Sequence, residues 1–281
     1  MRNRLLHASL FGSLLLLAGS ARAITIYGLT GANGLVRFDS ATPNAVTNVG
    51  PISQAGIVDI DVSPANGRLY GITGTGSLYF IDPATGAATL AVAPSAPLAN
   101  VTDLDFNPAA DRGRVFGLVD QNYRIVPDAS AITAPQAGTP GAVIADGTWT
   151  NTGVDLVGSA YTNNVDGAAS TTLYSIDTAG NALIVHSVAP QFNTVTTVGG
   201  LGFAVGSNVG FDIDPAGLAW LSDDSKFYGV DLGSGALSFF GTIGYANYPP
   251  GIVSIAAIPE PGALLLAASG VAFLAGFRKA A

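Results

Sequence analysis

The chain has 281 residues, 48% hydrophobic and 11% charged, and it contains no cysteine, which excludes disulfides and thiolate chemistry. Leaving aside the termini, six cations (Arg37, Arg68, Arg112, Arg114, Arg124 and Lys226) stand against eighteen aspartates, a net charge of −12. An acidic body repels phosphate backbones and anionic headgroups, so nucleic acid is excluded as a partner, and calcium is the only cofactor such oxygen-rich chemistry suggests.

Residues 1–23 read as a secretory signal peptide. Arg2 and Arg4 supply a positive start, residues 5–19 are uncharged and Leu-rich, and Ala21 and Ala23 place small residues where a signal peptidase reads. The apolar stretch is short of the roughly twenty residues that span a bilayer, so cleavage after Ala23 is expected rather than anchoring.

From residue 24 to 258 one phrase recurs: an apolar run ending in Asp, then a turn and another apolar run. The copies end at Asp39, Asp82, Asp177 and Asp231, with a weaker one ending Pro127-Asp128, and the intervals are 43, 46, 49 and 54 residues. A period of forty to fifty residues with four strands per repeat is that of a β-propeller blade. Within each repeat an earlier strand carries paired aspartates, Asp59/Asp61, Asp103/Asp105 and Asp212/Asp214, with Pro64, Pro108 and Pro215 following. A second strand follows, as in Arg68-Leu69-Tyr70-Gly71-Ile72, then the Asp-ending strand and a Gly-containing turn. The expected fold is all-β, a propeller of five four-stranded blades. The chain enters midway through a blade at Ile26-Tyr27-Gly28-Leu29, and a lone strand at residues 251–257 supplies the missing first strand, so both ends close one blade and leave no free sheet edge. Pro127 marks the third blade as irregular. No amphipathic helix is legible in this region.

The stretch Val157-Gly158-Ser159-Ala160-Tyr161-Thr162-Asn163-Asn164, running on through Leu173-Tyr174-Ser175-Ile176-Asp177, resembles the domain-of-unknown-function family numbered 4394. Residues 26–39 and 112–128 share that resemblance. It implies surface export, and no catalytic residues can be carried over from it.

The far end reads Pro259-Glu260-Pro261, then an uncharged stretch over residues 262–277 expected to be a transmembrane helix, then Arg278 and Lys279. At 1.5 Å per residue the helix reaches about 24 Å, marginal for a ~30 Å hydrocarbon core, and the basic end favours a cytoplasmic terminus. The tail, residues 259–281, resembles a PEP-CTERM sorting signal. The resemblance implies processing by an exosortase in a Gram-negative bacterium that makes exopolysaccharide. The expected address is the inner membrane during processing, then the cell surface, envelope or extracellular matrix.

The residues that could carry chemistry are few. Aspartates after strands, such as Asp39, Asp82, Asp177 and Asp231, nucleate turns by accepting backbone N–H groups. In a strand, residues i and i+2 share a face, so each Asp pair presents two carboxylates together, and calcium could bind if these strands line a central channel. Their repetition argues for a scaffold role instead. His186, the body's sole histidine, would have to serve any Ser-His-Asp triad, and zinc would lack further His or Cys ligands. The glycines around Gly199-Gly200-Leu201-Gly202 precede no helix pattern and so make no phosphate loop. Trp149, Tyr161, Tyr245 and Tyr248 are aromatics that could stack on sugar rings if exposed, although core packing is the expected use. The sequence thus assigns no catalytic, cofactor or metal residues. The favoured expectation is a non-enzymatic adhesion or glycan-binding propeller associated with exopolysaccharide in a biofilm. A calcium-assisted polysaccharide hydrolase or lyase is one alternative, a purely structural matrix component the other. Carboxylates clustered at a channel mouth would favour the enzyme, and an aromatic platform on an outer face would favour glycan binding.

Overall fold

The computed structural model of the chain describes residues 23–118, 121–128, 138–150, 153–187, 189, 191–244 and 251–258. Ala21 and the tail with Pro259, Glu260, Pro261, Arg278 and Lys279 lie outside them, as do Tyr245 and Tyr248. Every element among the described residues is a strand, and no helix there is long and apolar enough to cross a membrane.

Among the described residues twenty strands form five antiparallel sheets of four. Blade 1 joins β20 (Ile252–Ile258) to β1 (Thr25–Thr30), β2 (Gly34–Asp39) and β3 (Thr42–Pro51). Blade 2 holds β4 (Ile57–Val62), β5 (Leu69–Thr73), β6 (Leu78–Ile81) and β7 (Ala88–Val92), and blade 3 holds β8 (Val101–Asn107), β9 (Arg112–Gly117), β10 (Gln121–Ile125) and β11 (Val143–Ala145). Blade 4 runs β12 (Leu156–Tyr161), β13 (Leu173–Asp177), β14 (Ala182–Ser187), β15 (Thr194–Gly200), and blade 5 runs β16 (Val209–Ile213), β17 (Ala219–Asp223), β18 (Lys226–Val230), β19 (Leu237–Thr242). The chain therefore closes as its sequence implies: β1 pairs with β20 antiparallel, Ile26 opposite Ala257 and Leu29 opposite Ser254. Closure leaves the innermost strands β20, β4, β8, β12 and β16 packed around an axis.

The strands β5 and β17 are buried along their whole length because each sheet is covered on both faces by neighbouring blades. The core is accordingly split into five apolar layers, one per joint between blades. Ile26, Val36 and Phe38 of blade 1 meet Trp220 and Phe227 of blade 5, and Tyr70, Ile72 and Leu78 of blade 2 meet Leu104, Phe106 and Val115 of blade 3. Turn aspartates do what their position suggests: the carboxylates of Asp39, Asp82 and Asp231 accept the N–H groups of Ala41, Ala84 and Gly233 at 2.7, 2.8 and 2.9 Å. Blade 3 is the irregular one. Its third strand stops at Ile125, its outer strand β11 has three residues, and Asp128 instead accepts the Tyr70 hydroxyl at 3.2 Å.

Candidate functional site

The paired aspartates lie on the innermost strands, and their carboxylates reach from one blade to the next. Leu104 N donates to Asp59 Oδ2 at 2.5 Å and Phe106 N to Asp61 Oδ2 at 2.7 Å, joining blade 2 to blade 3. Ser159 N and Tyr161 N donate to Asp103 Oδ1 and Asp105 Oδ1, both at 3.1 Å, joining blade 3 to blade 4; the Ser159 hydroxyl also donates to Asp103 Oδ2. Ala257 N donates to Asp212 Oδ2 at 2.6 Å across the closing joint, and Ile60 N donates to Ser254 Oγ at 3.1 Å. The scaffold role expected from their repetition is visible in these bonds.

The same bonds correct the pairing read from sequence. Asp212 captures the N–H that corresponds to those captured by Asp61 and Asp105, so it is the equivalent of the second aspartate of each pair, not the first. Gly210 holds the first position. Asp214 turns away from the axis: its Oδ1 accepts Ala216 N and Leu218 N at 2.8 and 2.9 Å, and its Oδ2 accepts the Trp220 indole N–H at 3.2 Å. The signal for this register was present in the chain, since Asp61, Asp105 and Asp212 each precede a proline by three residues (Pro64, Pro108 and Pro215).

Asp61, Asp105 and Asp212 converge on the axis, with one oxygen of each within 4.8 Å of the others. Asp59 and Asp103 line the same small cavity, where the space open to the centre of a water-sized particle is ≈10 Å³, about enough for one. All five are buried. Burial, the largest cause, pushes the carboxyls of Asp103 and Asp212 up to about 7. It raises Asp59, Asp61 and Asp105 well above the ordinary range as well, helped by the charges of Asp103 on Asp59, Asp212 on Asp61, and Asp61 and Asp212 on Asp105. At an effective dielectric near 20, two unit charges 4.8 Å apart repel by about 3 kcal/mol. The ring therefore holds protons or takes up a cation; three bare carboxylates would be too costly.

His186 is 2% exposed. Its Nε2 lies 2.8 Å from Ser175 Oγ and its Nδ1 2.8 Å from the Phe192 carbonyl oxygen. The carbonyl requires Nδ1–H, so Nε2 accepts from the serine hydroxyl. Burial pushes the imidazole down to about 4. The dyad is sealed, with Ser175 fully buried beside it.

Trp149 and Tyr161 take the core packing expected of them rather than a sugar-facing position. Trp149 packs edge-on against Phe116 with ring centroids 4.6 Å apart, and the Tyr161 hydroxyl accepts Arg114 Nε at 3.1 Å; both rings are buried. Among the described residues the exposed aromatics are Phe203, Phe239 and Phe240, at 43%, 61% and 44%. Phe240 rests on Trp220 at 5.2 Å and covers Gly229, where a β-carbon would meet its ring at 2.9 Å. Together with Leu218, Leu232 and Ser238 these residues line a groove of ≈340 Å³ on blade 5, with Asp231 at its rim. One sign of it was legible: Leu237-Ser238-Phe239-Phe240 breaks strand alternation, so one phenylalanine must face out.

No curated protein matches the chain. Among solved structures, a chain of a nidogen/laminin complex aligns at 9% identity and a TM-score of 0.49, over 85% of this chain and 99% of that one. An auxiliary nutrient binding protein from Bacteroides thetaiotaomicron aligns at 13% identity and 0.41, over 80% and 51%. The chain spans about a third of the length of the extracellular domain of a B. thetaiotaomicron signalling system described as a hybrid two component or one component system, which it matches in two structures at 13% and 14% identity, TM-scores of 0.42 and 0.43, and 79% and 80% of this chain. The family described as Domain of unknown function (DUF4394) matches residues 34–256, nearly the whole propeller, and the chain belongs to that family.

Proposed function

We propose that the chain is an exported surface protein whose propeller binds a glycan without transforming it, in the groove of blade 5. The groove carries this reading. Sugar rings offer apolar C–H faces to aromatic side chains and hydroxyl donors to carboxylates. Phe240, Leu218 and Leu232 supply the apolar wall, while Ser238 and the exposed Asp231 supply rim acceptors. Hydrogen bonds from Ser234 and the Gly233 N–H lower the Asp231 carboxyl below its ordinary range, so it stays an acceptor at any neutral pH. The axial carboxylates Asp61, Asp105 and Asp212, 2–3% exposed, offer a polysaccharide no access, which favours binding over a calcium-assisted hydrolase or lyase.

The address forms part of the same proposal. Residues 1–23 direct export, and the apolar stretch 262–277 holds the chain in the inner membrane until an exosortase acts at Pro259-Glu260-Pro261. Cell surface or matrix is then the destination, and the host's exopolysaccharide is the ligand class. Binding of the purified full chain to that polysaccharide is the test, with Phe240→Ala beside the wild type. Loss of one stacked ring should weaken binding about tenfold, the effect of ~1.4 kcal/mol. Unchanged affinity in the variant, or no binding by the wild type, would remove the groove from consideration. Mass spectrometry of the surface form should find residues 262–281 gone; an intact tail would refute the sorting reading.

A further inference from the structure

We propose that Asp61, Asp105 and Asp212 form a binding site for one calcium ion on the propeller axis, a site independent of the glycan groove.

The geometry suits that ion. Three oxygens within 4.8 Å of one another surround a point at most about 2.8 Å from each when evenly spaced, and a slight inward movement reaches the ~2.3–2.6 Å of calcium–oxygen bonds. Magnesium, at ~2.0–2.1 Å, would demand a larger contraction of strands already locked by inter-blade hydrogen bonds. At the corresponding places on blades 1 and 4 stand Ala256 and Ala160, which add no competing side chain.

A further observation points to a ligand rather than to carboxylates gathered by chance. Asp61 and Asp212 each use both oxygens, taking the next residue's N–H on Oδ1 at 2.6 Å and the neighbouring blade's on Oδ2. Asp105 differs. Only 3% exposed, it accepts Tyr161 N on Oδ1 while its Oδ2 accepts no hydrogen bond and borders the axial cavity. A carboxylate oxygen held among other carboxylates without a donor is unusual in a folded protein, because it forfeits its hydration. A calcium ion supplies what this oxygen lacks, with ligands of the type it prefers. The acidic ring would then hold together the inner strands of blades 2, 3 and 5.

The test uses the full chain in detergent, stripped with EDTA and returned to neutral calcium-free buffer. Titration calorimetry should show one calcium per chain. The melting temperature should rise by about 5–10 °C once calcium is ~100-fold above its dissociation constant. Asp105→Asn and Asp212→Asn each keep an oxygen for the inter-blade N–H and remove the charge, so both should abolish the rise, whereas Asp166→Asn on an exposed loop should retain it. Wild-type chain that neither binds nor gains stability at 10-millimolar-scale calcium overturns the site, whatever the variants do. So does a wild-type rise that survives in both ring variants. Magnesium giving an equal or larger shift overturns the assignment of the ion.

Discussion

Replacing Asp146 with alanine would strip the counter-ion from the most deeply buried cation in the propeller. Arg114 is 1% exposed, and its Nη1 lies 2.6 Å from Asp146 Oδ2 and 2.6 Å from Asn122 Oδ1. Arg124 grips the same carboxylate in a fork, Nε to Oδ2 at 2.7 Å and Nη2 to Oδ1 at 2.7 Å. Without Asp146 the Arg114 charge stays in place, because its side chain is packed between blades 3 and 4, but it loses the carboxylate and is left with such neutral partners as Asn122 and Tyr161. Breaking a buried pair from one side costs about 3–5 kcal/mol. For a body of this size that lowers the melting temperature by about 6–20 °C. The pair Lys226–Asp223, 3.9 Å apart with the lysine side chain 57% exposed and the aspartate buried, sets the scale for comparison; Lys226→Ala should cost less than about 1 kcal/mol. Urea melts would decide, read as a midpoint shift at constant slope. Replacing both Arg114 and Asp146 with leucine should recover part of the loss, since the fully buried charge is then gone and only Arg124, 19% exposed, has lost its partner. A loss below about 1 kcal/mol in Asp146→Ala would refute the claim that this network closes the joint between blades 3 and 4.

His186 sets a pH dependence of definite sign. Its folded pKa is pushed down to about 4 from 6.5, so its contribution to stability is fully present above 6.5 and is lost as pH falls through 4. The difference corresponds to about 3 kcal/mol, so the wild type should lose that much more than His186→Gln between pH 7 and 4, and parallel acid melts would contradict the assignment. Gly210→Ala should destabilise the closing joint by about 1–3 kcal/mol, because the new β-carbon would meet Ile255 N at 2.5 Å and Ser254 C at 2.7 Å. Gly200→Ala, with nothing nearer than 4.0 Å, is the control; equal melting of the two variants would show that the joint has slack.

The amino-acid sequence by itself determined the blade count, the strand order within each blade and the closure of blade 1 by β20. These are legible because they rest on local physics: alternation along a strand, Asx turns at Asp39, Asp82 and Asp231, and a repeat interval that matches four short strands. It also named every aspartate of the axial ring. What it could not decide was depth and convergence. Trp149 and Tyr161 carry the same residue types as a binding platform, yet both are buried in the apolar layer between blades 3 and 4, while Phe239 and Phe240 stay exposed because β19 is the outermost strand of its sheet. Asp212 and Asp214 look like one more pair, yet the closing joint places only Asp212 on the axis. Arg114 and Asp146 are 32 residues apart and meet only once the third blade is folded. Alternation says which residues share a face of one strand. Which face meets the axis, and at what height, is set by how five sheets pack on one another, and that packing exists only in the closed ring.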